Sequence, residues 1–126
     1  MPKLANGCIK FYTNGAGKEE GTKVNVAVRD ENDVIAAFIS DGFGRFEEHS
    51  NSGPFDLTIV NESEKVGIRG GSIDVGFEPM GDELWRFNFF IFLSFSDGTR
   101  ITGGKVGVEL KSDDNGQRFL LDEITR

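Results

Sequence analysis

Turn signals break this chain every few residues. In order they read NGAG (14–17), DEND (30–33), SDGFG (40–44), SNSGP (50–54), RGG (69–71), PMGD (79–82), SDG (96–98), TGG (102–104) and DDNG (113–116). Glycine supplies the positive φ that tight turns need, and Asp and Asn bond their own backbone there. SDG and DDNG are the clearest hairpin signatures. The segments left between these turns are short, and none carries a sustained helical stripe with caps. A chain punctuated in this way is built from strands.

The segments confirm the period. Residues 84–96, LWRFNFFIFLSFS, are apolar enough to raise the question of a membrane span. A spanning helix needs about 20 apolar residues, and this run is shorter and contains Arg86 and Asn88. Period two fits instead: Trp85, Phe87, Phe89, Ile91, Leu93 and Phe95 share one face, and Leu84, Arg86, Asn88, Phe90, Phe92 and Ser94 share the other. The same alternation predicts strands at 8–14, 22–29, 54–60, 71–77 and 105–111, the last with Val106, Val108 and Leu110 inward. The stretch 33–40 is apolar on both faces and is also read as a strand. Residues 117–124 are a last strand or a short helix. About eight strands with regular turns predict an all-β fold, an antiparallel β-sandwich, with a small barrel as the alternative. No repeat or linker divides residues 1–126, so one domain is expected.

The core is expected to be phenylalanine-rich, with 12 Phe against one Trp and one Tyr. Phe has no polar group to satisfy and suits a dry interior. Net charge is −7, and no basic cluster stands out, which argues against a nucleic-acid partner and a bare anionic membrane. Cys8 is the only cysteine, so no intrachain disulfide forms. The N-terminus lacks the apolar core of a signal peptide. That reads as a cytoplasmic chain, or one released without a visible signal.

Chemistry-bearing constellations are sparse. No Walker loop or G-x-S-x-G elbow occurs, and in GAGKEEGT Lys18 is followed by two glutamates that would repel phosphate. His49, the single histidine, stands beside Glu47 and Glu48 in a loop, which suits solvation better than a triad. The acidic surplus reads as solubility and ordinary turn chemistry, or, where carboxylates converge, as a site for a hard cation. Calcium takes six to eight oxygen ligands from flexible loops. In an antiparallel sandwich alternate turns lie at one end, so the loops at 14–21, 41–53 and 78–83 would meet if strand order were sequential. Asn14, Glu19, Glu20, Asp41, Asp82 and Glu83 are then the candidate metal ligands. Asp30, Glu31, Asn32, Asp33 and Asp97 lie at other turns.

The segment IKFYTNGAGKEEGTKVNVAV (9–28) resembles the start of a PLAT domain, the C2-like β-sandwich of lipoxygenases, lipases and polycystins. Tyr12-Thr13-Asn14-Gly15 matches its first turn, and Gly21-Thr22-Lys23 its second, followed by Val24, Val26 and Val28. Phe55-Asp56-Leu57 is similar to its middle strand, and Glu83-Leu84-Trp85 to its late tryptophan. Where that family carries Asp after Gly-Thr, this chain has Lys23. The resemblance implies a binding or targeting module, peripheral to membranes in many members and calcium-dependent in some.

Taken together, the expected function is a non-enzymatic binding module, with calcium as its candidate cofactor. It would recognise a membrane lipid surface, a glycan or a protein partner through loops at one end. A first alternative is a metal-independent protein-interaction or self-assembly module using Phe43, Phe46, Phe90 and Phe92. A second is a small hydrolase whose carboxylates are assembled by folding.

Overall fold

The computed structural model describes residues 2–18, 21–79 and 81–125. Two antiparallel sheets form a β-sandwich. The strands are β1 (Leu4–Ala16), β2 (Lys23–Arg29), β3 (Ile35–Asp41), β4 (Ser50–Asp56), β5 (Thr58–Ile59), β6 (Ser72–Glu78), β7 (Leu84–Phe95), β8 (Arg100–Lys111) and β9 (Gly116–Leu120). One sheet has the order β4-β1-β7-β8, and the other β5-β3-β2-β6-β9. Two short helices, α1 (Lys65–Arg69) and α2 (Leu121–Ile124), complete the described chain. No helix among the described residues is long and apolar enough to cross a membrane.

The long apolar run is central strand β7, held between β1 and β8. Trp85, Phe87, Phe89, Ile91, Leu93 and Phe95 are all buried, as their alternation requires. Opposite them the second sheet contributes Val24, Val26, Val28, Ile73, Val75 and Phe77. One end of this core is aromatic. Trp85 stacks on Phe87 at 3.7 Å and lies 5.3 Å from Phe11 and 5.5 Å from Phe46. Its Nε1–H donates to Thr13 Oγ1 at 3.2 Å, so the one polar group of the cluster is satisfied.

Several details depart from the sequence expectation. SNSGP (50–54) and TGG (102–104) are not turns but lie within β4 and β8. Residues 54–60 are not one strand: the chain leaves the first sheet after Asp56 and enters the second at Thr58. Leu57 is buried at the crossing, and its N–H bonds Gly7 O at 2.8 Å. Val106 does not point inward but is 69% exposed. A bulge in β8 between the Phe87–Val108 and Phe89–Lys105 pairs shifts the register. One extra residue reverses which face a side chain takes. Gly107 adopts φ 75° there, and its N–H donates to Asn88 Oδ1 at 2.9 Å. In β3 a similar register shift buries consecutive Ala36 and Ala37 and turns Phe38 outward. Residues 117–124 are both a strand and a helix, β9 and then α2. The five-residue α1 is too short for a helical period to register in the sequence.

Candidate functional site

Strand order is not sequential, yet the expected loops still share one end, because every neighbouring pair in both sheets is antiparallel. Among the described residues, the expected metal ligands do not gather into one group there. Asn14 lies on β1, where its Nδ2–H donates to Asn88 Oδ1 at 3.1 Å. Asp41 ends β3 and accepts from the Gly42 N–H at 2.7 Å. Asp82 is exposed. Glu83 Oε1 accepts the Thr22 hydroxyl at 2.6 Å, while its Oε2 is buried with no hydrogen-bond partner among the described residues. Glu19 and Glu20 lie outside the described residues. Among those described, no three His, Cys, Asp or Glu side chains converge as a metal-binding group.

What organises this end is Lys18. It is only 1% exposed. Its ammonium donates to three backbone carbonyls, Thr22 O at 2.9 Å, Gly42 O at 2.7 Å and Gly44 O at 2.6 Å, and lies 4.7 Å from the centre of the Phe46 ring. Lys18 N–H bonds Phe46 O and Phe46 N–H bonds Lys18 O, each at 3.0 Å. Between the two glycine carbonyls stands Phe43 at φ 56°, a costly conformation for a bulky residue. That turn aims both carbonyls at the ammonium, and the Phe43 ring stacks on Phe55 at 4.2 Å. Phe43 and Phe46 are therefore part of the packing around Lys18 and not a free aromatic surface. Among the described residues, the carbonyls of Thr22, Gly42 and Gly44 face the Lys18 ammonium.

A second site lies on the outer face of the five-stranded sheet, where a groove of about 600 Å³ crosses the strands. Its floor is made of small residues in register. Gly76 on β6 pairs with Asn25 on β2 and with Gly116 on β9, and Ala27 lies opposite Asp74. One wall carries Phe38, 41% exposed, and beyond it the charged pair row of Arg29, Asp74 and Arg118. On the other side Ser40, Asn25 and Glu78 form a polar chain: the Ser40 hydroxyl donates to Asn25 Oδ1 at 2.5 Å, and Asn25 Nδ2–H to Glu78 Oε2 at 3.4 Å.

The charges in this groove are mutually fixed. Asp74 accepts from Arg118 Nε at 2.6 Å and from Arg29 Nε at 3.0 Å. Partial burial works to raise the Asp74 pKa, but hydrogen bonds from Arg118 and Arg29 outweigh it and hold the carboxyl below its ordinary value. The same contact raises Arg118. The groove thus presents ionised groups that are preoriented and close to neutral in sum. Alternation marks Asn25, Ala27, Arg29, Asp74 and Gly76 as outward-facing, but only the strand order β3-β2-β6-β9 brings them together with Phe38, Ser40 and Arg118.

His49 sits at φ 57° in the turn before β4, with its N–H on Thr13 O at 2.8 Å. Burial first, and then the neighbouring Asp56 charge, push the Cys8 thiol above its ordinary pKa, away from a nucleophilic thiolate. Asp30 closes its own turn, accepting from Asn32 N–H at 2.9 Å and Val34 N–H at 3.1 Å. No protein-family model matches the chain, and no curated protein matches it in sequence.

Proposed function

We propose that this chain is a non-enzymatic, metal-independent binding module that receives a glycan in the groove of the five-stranded sheet. The observation that carries this reading is the pairing of one exposed aromatic, Phe38, with a row of planar polar groups across a small-residue floor. Ligand sites combine an apolar contact with a few fixed polar groups. A sugar ring offers both: an apolar face for Phe38, and hydroxyls that pair with amide, carboxylate and guanidinium groups already held in place. A groove that crosses the strands suits a chain of several sugars. The near-neutral charge balance favours an uncharged glycan.

A hydrolytic role has less support. A carboxylic acid that protonates a leaving group needs a raised pKa. Asp74, the carboxyl most enclosed by the groove, is shifted the other way.

The test is calorimetry against a panel of soluble neutral oligosaccharides, with anionic lipid vesicles in parallel. Wild type is expected to bind a glycan and Phe38→Ala to bind it about tenfold more weakly, the loss of one aromatic contact of about 1.4 kcal/mol. Gly116→Leu is a second probe. A Cβ there meets nothing closer than 3.9 Å, so the fold accepts it while the side chain fills the floor. Binding to vesicles but to no glycan would sink the reading, as would full binding by both variants.

A further inference from the structure

The outer face of the four-stranded sheet carries surface that the fold itself does not use. Phe90 and Phe92 stand side by side on β7, each 39% exposed. Cross-strand register puts Lys10 and Gly104 beside Phe90, and Cys8 and Thr102 beside Phe92. Gly104 gives the Phe90 ring its space: a Cβ there would lie 3.0 Å from the ring and 2.2 Å from Phe89 O. Phe90 consequently lies over the β8 backbone and fixes a flat aromatic centre on this face.

Charge is distributed unevenly about that centre. The β8 edge exposes Arg100, Lys105 and Lys111, the last paired with Glu109 on the same edge at 3.3 Å. The β4 edge exposes Asp56, with Glu47 and Glu48 in the loop before it. Among the described residues Arg100, Lys105, Asp56, Glu47 and Glu48 form no ion pair within the chain. A chain of net charge −7 thus keeps uncompensated positive charge on one edge of this face and negative charge on the other.

We propose that this face is an interface between two copies of the chain, related by a two-fold axis that runs parallel to the strands between β1 and β7. This operation exchanges β1 with β7 and β4 with β8. It therefore lays the acidic edge of each copy on the basic edge of the other. Asp56 shares a row with Cys8, Phe92 and Thr102, so it meets the second copy's β8 beside Arg100. Glu47 and Glu48 come over the Lys111 end. Lys10, in the row of Phe90, comes over the second copy's Phe90 ring, a cation–π contact. Contacts are isologous, as a closed dimer requires. Four strands at about 4.8 Å spacing and roughly 30 Å of β7 give a projected face of about 600 Å². With side-chain relief that approaches the roughly 800 Å² per partner of a stable interface. Both grooves stay open on the outer sides, so the inference stands apart from the glycan reading.

Sedimentation velocity from about 1 to about 200 µM tests it, with association expected in the micromolar range. A species of twice the 13.9 kDa chain mass is expected, weakening with salt. Phe90→Ser with Phe92→Ser should be monomeric throughout. Arg100→Glu and Asp56→Arg should each weaken association at least tenfold, and the double variant Arg100→Glu/Asp56→Arg should restore it. These positions are exposed, so melting curves will show each variant folded. A strict monomer at every concentration overturns the inference. So does a dimer indifferent to the phenylalanines, or one that the charge exchange does not restore.

Discussion

Replacing Lys18 with Met asks how much a buried ammonium contributes to the loop end. Methionine keeps the unbranched apolar stem and removes the donors. Three carbonyls then lose their partner: Thr22 O in a buried position, and Gly42 O and Gly44 O where water gains partial access. An orphaned buried acceptor costs about 1–3 kcal/mol, and partly wetted ones about 1 kcal/mol or less each. Relief from burying a charge offsets part of this. The net expectation is a loss of about 2–4 kcal/mol. For 126 residues the unfolding entropy is about 260 cal/mol/K, so each kcal/mol lowers Tm by about 4 °C. Lys18→Met should melt about 8–15 °C below wild type in a circular-dichroism scan. Lys23→Met, an exposed lysine at the start of β2, controls for the lost charge and should stay within about 2 °C. The amide of Phe46, bonded to Lys18 O, should exchange faster in Lys18→Met alone. If the two variants melt together, the ammonium is not what holds this end and the reasoning fails.

Two further predictions follow from the same sites. Millimolar calcium, compared with chelator, should leave Tm within about 1 °C, because the loop-end carbonyls already face Lys18; a site filled to a hundredfold excess would add about 2.7 kcal/mol and a readily visible shift. Asp74→Asn should destabilise the fold at neutral pH. The wild-type carboxyl has a folded pKa below its unfolded value near 4, so its contribution is complete above that value and disappears as pH falls through the lower folded one. Urea midpoints of the two proteins should therefore converge as pH falls below about 4, and a constant gap would count against the Arg29–Asp74–Arg118 assignment.

The strands were readable wherever one face is dry, since burial imposes period two. β7 is the plainest case, and β2 and β6 follow the same rule. The pattern misled at Val106 because the alternation carries no mark of an inserted residue; only Gly107 hinted at one. It misled at 54–60 because a strand that changes sheets stays apolar at the crossing residue, Leu57. The loop end was legible as a meeting of turns but not in its content. Lys18 sits in a glycine- and glutamate-rich stretch typical of solvated loops, and its Gly42 and Gly44 partners are 24 and 26 residues away. The groove stayed hidden for a related reason. Asn25, Asp74 and Arg118 become neighbours only through a strand order that local periodicity does not contain.

The β8 bulge also bears on how this protein behaves when crowded. β8 is a twelve-residue edge strand, the kind of open template on which chains add to one another without limit. Three devices interrupt it. Gly107 turns its backbone toward Asn88, Lys105 places a charge on the rim, and Gly103 is already bridged to Thr125 near the C-terminal end. An incoming strand would find no unbroken ladder longer than a few residues. Concentrated solutions should accordingly resist fibril growth, and a Gly107 deletion, which would straighten the edge, is the change that would expose the hazard.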